Sequence, residues 1–277
     1  MGQGRFYIVS TPIGNLDDIT LRALETLKKV DFIACEDTEH SLKLLNYYGI
    51  KKTLISYWSE KEKVRAEEII NKIKSGHSVA LITDAGTPGI SDPGAVIIQR
   101  AIEENIEIIP VPGPTALITA LSISGLPSEE FTFIGFLPVK QVQRRKKLLE
   151  LSSEKRTLVF YEAPHRILQS LHDMLEVLDD RRACIARELT KMFEEVLRGR
   201  LSELIEKLEN SKIAGEYVIV VEGITETPQT VDEALKEVKE LMKKGKGRKE
   251  AVKIIAELYG LSKKELYEKS LKMDEIE

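Results

Sequence analysis

The chain has 277 residues, 42% of them hydrophobic and 31% charged, with a formal net charge of −4. That profile belongs to a soluble globular protein of about two domains plus an appendage, and it excludes a uniformly basic nucleic-acid binder. No apolar run approaches the roughly 18 residues a membrane-spanning helix needs, and Tyr7-Ile8-Val9-Ser10 is far too short for a signal peptide, so a cytoplasmic location is expected.

In chain order, β-branched runs alternate with helical periods. Phe6–Ser10 predicts a strand and Thr20–Lys29 an amphipathic helix with Leu21, Leu24 and Leu27 on one face. Asp31–Cys35 predicts a strand, Ser41–Tyr48 a helix, Thr53–Ser56 a strand and Glu60–Lys74 a charged helix. Val79–Thr83 reads as a buried strand, followed by a helix over Gly94–Glu104 and a strand over Ile106–Pro110. Strands separated by helices of this length need crossover connections, which implies a largely parallel sheet.

After Gly125-Leu126-Pro127 the pattern changes. Phe131–Phe136, Thr157–Tyr161, Ala183–Ala186, Glu194–Arg198 and Tyr217–Val221 are strand candidates, only some with helices between them, so a mixed sheet is expected. Thr225–Gln229 reads as a linker, and three helices follow from Val231. The predicted class is therefore α/β: a domain over residues 1–124 with a parallel-rich sheet, a second α/β domain over 125–224 with a mixed sheet, and a small helical domain over 231–277.

Ligands of open α/β sheets bind outside the carboxyl ends of the strands. Three loops there are rich in glycine and proline: Thr11–Asp18, Thr83–Gly94 and Pro110–Ala116. One such loop is ordinarily just a tight turn; three on one sheet edge offer a ligand preformed backbone groups. Asp84 directly follows an apolar strand, where it either meets a ligand amine or ribose hydroxyl or caps the turn at Gly86.

Phosphate-binding and dinucleotide fingerprints are absent: there is no Gly-x-x-x-x-Gly-Lys-Ser/Thr and no Gly-x-Gly-x-x-Gly. Of the four histidines only His165 and His172 share a helical face, without accompanying carboxylates, so no metal site is expected. Cys35 and Cys184, the two cysteines, lie in apolar stretches and read as buried thiols. Polar residues gather where second-half strands stop, at Phe160–Arg166 and Arg187–Lys191, marking either a site or ion pairing. Two basic blocks stand out, one with Lys140, Arg144, Arg145, Lys146 and Lys147, the other with Lys243, Lys244, Lys246, Arg248, Lys249 and Lys253. Each is either a solvated helix face or a local surface for RNA phosphates.

At these residues the sequence resembles a known family. Tyr7–Thr20, Thr83–Gly94, Pro110–Ala116, Phe160–Arg166, Arg187–Lys191 with Phe193-Glu194-Glu195, and the helical tail at Arg248–Lys253 and Leu258–Lys263 resemble the small-subunit ribosomal RNA methyltransferases of the tetrapyrrole-methylase superfamily. The resemblance covers essentially the whole chain. It implies two α/β domains with S-adenosylmethionine in the cleft between them, a homodimer, and methyl transfer to the ribose 2′-oxygen of a cytidine in small-subunit (16S) ribosomal RNA. Carried onto this chain, it implies cofactor contacts from Pro12, Ile13 and Gly14, from Asp84, Ala85, Gly86, Thr87, Ile90 and Ser91, from Gly113, Pro114, Thr115 and Ala116, and from Tyr161. One departure stands out: the family's Glu-Asp-Thr-Arg is Glu36-Asp37-Thr38-Glu39 here, reversing a charge.

Transfer from a sulfonium needs alignment of three atoms and no metal. Because a ribose hydroxyl is a poor nucleophile, a proton acceptor is expected among Glu36, Asp37, Glu162, His165, Glu188 and Lys191. RNA contacts are expected from Lys140, Arg144, Arg145, Lys146, Lys147, Arg166, Lys246, Arg248 and Lys249. Two other readings remain open: an enzyme of the same fold acting on a tetrapyrrole or a modified protein side chain, and a non-catalytic RNA-binding assembly factor.

Overall fold

The computed structural model describes residues 4–58, 62–224, 231–243, 246–259 and 261–272. The expected linker at Thr225–Gln229 and Glu60, the expected start of the third helix, lie outside the described residues.

The first sheet is built on β4 (Val79–Ile82), whose four residues are all buried. A run apolar on both faces suits the centre of a sheet covered on both sides. It lies between β2 (Phe32–Cys35) and β1 (Phe6–Val9); β3 (Thr53–Ser56) and β5 (Ile108–Val111) form the edges, and every pairing is parallel. Helices α1 (Leu21–Lys29) and α2 (Thr38–Tyr47) cover one face through Leu27 and Leu45; α3 (Glu62–Lys74) and α4 (Ala95–Glu103) cover the other through Ile69, Ile73 and Ile97. Thr20 caps α1 by accepting from Ala23 N, and Asp37 caps α2 by accepting from the amides of Glu39 and His40.

The second sheet is mixed, in the order β6-β7-β10-β8-β9, where β6 is Phe131–Phe136, β7 Thr157–Glu162, β8 Arg182–Arg187, β9 Glu195–Arg200 and β10 Tyr217–Val221. Only β6 and β7 run parallel. One face packs on α6 (Gln141–Glu150), α7 (Ile167–Leu178) and α8 (Leu201–Glu209); the other packs on α5 (Ala116–Ser124) through Leu117, Ala120 and Leu121. Thus α5, expected in the first domain, lies against the second sheet. Both sheets belong to one compact unit, Met1–Gly223.

The second unit, Ile224–Glu277, contains α9 (Val231–Lys243), α10 (Arg248–Tyr259) and α11 (Lys263–Lys272). Their apolar positions converge on a small core of Ala234, Leu235, Val238, Ala251, Val252, Ile255, Ala256 and Leu266. Among the described residues no helix is long and apolar enough to cross a membrane.

Candidate active site

The loops leaving β1, β4 and β5 are laced together at the carboxyl edge of the first sheet. Thr11 N donates to Gly86 O (2.8 Å) and Gly86 N to Thr11 O (3.1 Å). The Ser10 and Thr87 hydroxyls lie 2.8 Å apart, and Thr11 Oγ1 donates to Thr83 O at 3.0 Å. Gly113 sits so close to the first loop that a Cβ on it would lie 2.9 Å from Ser10 Cβ.

Between these loops and the second sheet opens a cavity of about 400 Å³. Ile13, Ala85, Gly86, Thr87, Ile90, Ser91, Thr115 and Ala116 line it from the first half, and Tyr161 lines it from β7. Phe133 and Phe136 meet the Tyr161 ring edge-on at 5.0 and 5.7 Å, and its hydroxyl accepts from Leu117 N at 3.2 Å, fixing the first turn of α5. Asp92, Phe136, Ala186, Leu189, Glu216 and Val218 also line the cavity and were not anticipated. Pro12, Gly14, Asp84, Gly113 and Pro114 fall outside the lining. Asp84 Oδ1 instead accepts from Asp37 N at 3.3 Å, joining the loops after β4 and β2.

The candidate proton acceptors separate by geometry. Alternation along β7 directs Val159 and Tyr161 toward α5 and the cavity, and Phe160 and Glu162 toward α7. Glu162 touches the cavity, but its carboxylate accepts from Ser170 Oγ (2.5 Å) and Ala163 N (2.9 Å) and pairs with Arg166, so its carboxylate serves the α7 side. Asp37 is occupied as a helix cap, and His165 is exposed. Lys191 lines the cavity with its ammonium between Glu188 (2.9 Å) and Glu216 (3.0 Å). Burial works against that charge, but the two carboxylates outweigh it and hold the lysine above its usual range, which removes it as a base near neutrality. Burial raises Glu188, yet Lys191, the Glu216 amide and Arg187 together outweigh it and hold the carboxyl below its usual range.

The remaining carboxyls form an acidic layer. Burial raises Glu36 and Asp84 above the ordinary carboxylate range, each also feeling neighbouring acids. Asp92 is pushed up to about 6 by burial first and by Asp84 and Glu216 next. It lines the cavity, and among the described residues no hydrogen bond or ion pair engages it. Backbone strain concentrates nearby: Ser91, Glu188 and Thr190 have φ of 68°, 49° and 66°, conformations that side chains disfavour.

Of the expected RNA contacts, Arg144 is corrected by its burial, and the others differ in what they pair with. Arg144 is 2% exposed, its Nε 2.6 Å from Asp173 Oδ2. Arg145 pairs with Asp173 and Glu176, and Arg166 with Glu162. These guanidiniums hold α6 and the start of α7 in place and are committed to carboxylates. Lys147 pairs with Glu150 and Lys246 with Glu250, whereas Lys140, Lys146 and Lys249 are exposed and Arg248 is half-buried.

A family model for tetrapyrrole (corrin/porphyrin) methylases matches residues 5–205. The chain belongs to the tetrapyrrole methylase family. Among its relatives it is 43% identical to a protein of Halalkalibacterium halodurans over 96% of this chain and 94% of that one, and 47% identical to one of Thermotoga maritima over 79% and 99%, respectively. Both relatives carry the name ribosomal RNA small subunit methyltransferase I. Its fold is similar to that of the Thermus thermophilus uroporphyrin-III C-methyltransferase complexed with S-adenosylhomocysteine, with a TM-score of 0.57 at 18% identity, covering 79% of this chain and 97% of that one. The tetrapyrrole methylase match stops before Glu216 and the following β10, whose Val218 also lines the cavity, and before the three C-terminal helices.

Proposed function

We propose that this tetrapyrrole methylase transfers a methyl group from S-adenosylmethionine to the ribose 2′-oxygen of a cytidine in 16S ribosomal RNA. The observation that carries this reading is the cavity at the carboxyl edge of the first sheet, together with full-length similarity to named ribosomal RNA methyltransferases. Its residues fit the cofactor. The walls are largely apolar, the single lining lysine is neutralised, and Asp92 and Glu216 leave a negative field suited to a cation and unsuited to a phosphate. Ile13, Ala85, Gly86, Thr87, Thr115, Ala116 and Tyr161 would hold the nucleoside.

When bound, S-adenosylmethionine supplies the methyl group as an electrophilic carbon on a sulfonium. The rigid loops and the α5 entrance clamped by Tyr161 restrict where ligand and ribose can sit, and such alignment lowers a barrier by about 7–11 kcal/mol in favourable cases. Asp92 takes the proton of the attacking hydroxyl. Its raised pKa matches the working range of a general base, a contribution of about 10²–10⁴-fold. Glu39 does not line the cavity. It lies in the first turn of α2, where the helix dipole favours an acid, so the family's usual arginine is replaced without loss of a lining group.

The chain acts in the cytoplasm as a homodimer; Met192 and Phe193, 90% and 69% exposed on the loop after β8, support an apolar contact between copies. The two sheets, divided near residue 125, are read as two lobes around the cavity, and residues 231–277 as a separate helical domain. The test is transfer of labelled methyl into under-methylated small subunits by the wild-type chain and by Ala85→Trp, which fills the cavity from an exposed position. Label from the wild type alone supports the reading; equal labelling by both removes the cavity from it.

A further inference from the structure

Of the two basic blocks, the one around α6 has Arg144, Arg145 and Lys147 paired with Asp173, Glu176 and Glu150 and leaves Lys140 and Lys146 exposed, whereas the one on α10 opens onto a cavity. That cavity, about 330 Å³, lies between α10 and α11 and is lined by Lys249, Val252, Lys253, Lys263, Lys264 and Tyr267. Four of the six are lysines, and none is acidic. Lys249, Lys253 and Lys264 are exposed and, among the described residues, enter no ion pair.

The placement of these charges works against the fold. Lys249 shares the first turn of α10 with Glu250, and Lys263 and Lys264 share that of α11 with Glu265, but neither acid lines the hollow. Cations there oppose the helix dipole, and lysines gathered around one hollow repel one another. Neither arrangement helps the three-helix core, which is closed by Val252, Ile255 and Leu266. A polyanion reverses both effects at once. Tyr267 is half-buried against that core and offers ring surface within the hollow. The walls also present ammonium point charges rather than guanidinium forks, which suits a phosphate backbone without base readout.

We infer that the α10–α11 hollow is a docking site for the phosphate backbone of the substrate RNA, with Lys249, Lys253 and Lys264 its principal contacts. This rests on the reading that the substrate is RNA. The hollow contributes affinity without sequence discrimination, and the chemistry stays in the first unit.

The test uses the full chain and fluorescently labelled, protein-free 16S RNA, with anisotropy measured across a salt series. Replacing the three lysines by alanine is expected to raise Kd about tenfold or more near 0.1 M salt. It should also lower the slope of log Kd against log salt by about 2, at roughly 0.7–0.9 per phosphate. Replacing all three by arginine should preserve both quantities, and cofactor affinity and kcat at saturating RNA should stay unchanged in either variant. An alanine variant matching the wild type in Kd and slope overturns the inference, as does equal loss in the arginine variant. A loss seen only with assembled subunits assigns the hollow to a protein partner and also overturns it. A wild type that binds RNA through these lysines but transfers no methyl group keeps the docking site and removes the functional reading beneath it.

Discussion

Gly14 and Lys191 touch across the cleft: a Cβ on Gly14 would lie 2.5 Å from Lys191 Cγ and 2.8 Å from Thr190 Oγ1. Asn15 N also donates to Thr190 Oγ1 at 2.9 Å, so the loop after β1 is clasped to the loop after β8 with no space for a methyl group. In Gly14→Ala either Lys191 leaves its carboxylates or the loops part, an overpacking cost of about 1–3 kcal/mol. Cofactor affinity measured by calorimetry should fall about tenfold or more, since about 1.4 kcal/mol is one decade. Unchanged affinity would show that the clasp has no bearing on the cavity.

Asp92 gives a pH signature. Its folded pKa is raised from 3.8 to about 6, so the fold disfavours the ionised form. That penalty is absent below the unfolded value and complete above the folded one. Asp92→Asn should therefore raise Tm at pH 8 and leave it unchanged at pH 3.5; chains of this size shift about 2–4 °C per kcal/mol. With Asp92 as proton acceptor, wild-type kcat/KM rises with pH through about 6 and levels off, and the asparagine variant is about 10²–10⁴-fold slower. Full activity in the variant would remove this role.

Arg144 predicts a loss of stability rather than of RNA binding. Its side chain and that of Asp173 are 3% and 1% exposed, and Asp173 also accepts from Arg145 and Gln141. Arg144→Ala leaves a buried carboxylate short of its closest cation, which typically costs about 3–5 kcal/mol. Urea unfolding should show that loss while RNA affinity of the folded fraction holds. Weakened RNA binding at unchanged stability would return Arg144 to the RNA surface.

Tyr161→Phe keeps the ring between Phe133 and Phe136 but leaves Leu117 N, at the start of α5, without its acceptor. Leaving one polar group unpaired costs about 1–3 kcal/mol. A higher KM for the cofactor with kcat largely retained is the expected outcome in steady-state kinetics; a collapse of kcat alone would place the hydroxyl in the chemistry instead.

Much of this architecture is legible in the residues because local signals and tertiary packing agree. The runs at Thr53–Ser56, Phe131–Phe136 and Tyr217–Val221 are strands with the bounds their composition suggests. Other bounds shift by a residue or two, and at Ile106 the cause is visible: its amide closes the end of α4 by donating to Ala101 O, so β5 begins two residues later. The glycine and proline loops were readable because their chemistry is local. Glu216 and Val218 were not, because they reach the cavity only through the insertion of β10 between β7 and β8, a pairing order that periodicity does not encode. Asp92 lay inside a recognised loop, but its missing counter-ion is a property of three-dimensional surroundings. Arg144 shares the helical face of buried Leu148 four residues on, which places it toward the core rather than toward solvent.

The most direct measurement is nucleoside mass spectrometry of 16S RNA after incubation of under-methylated small subunits with the full chain and isotopically labelled S-adenosylmethionine. The label is expected on the ribose of a single cytidine, and it should vanish with Ala85→Trp. Label on a base, on protein, or on no component while the cofactor remains bound would contradict methyl transfer to a ribose from this cavity.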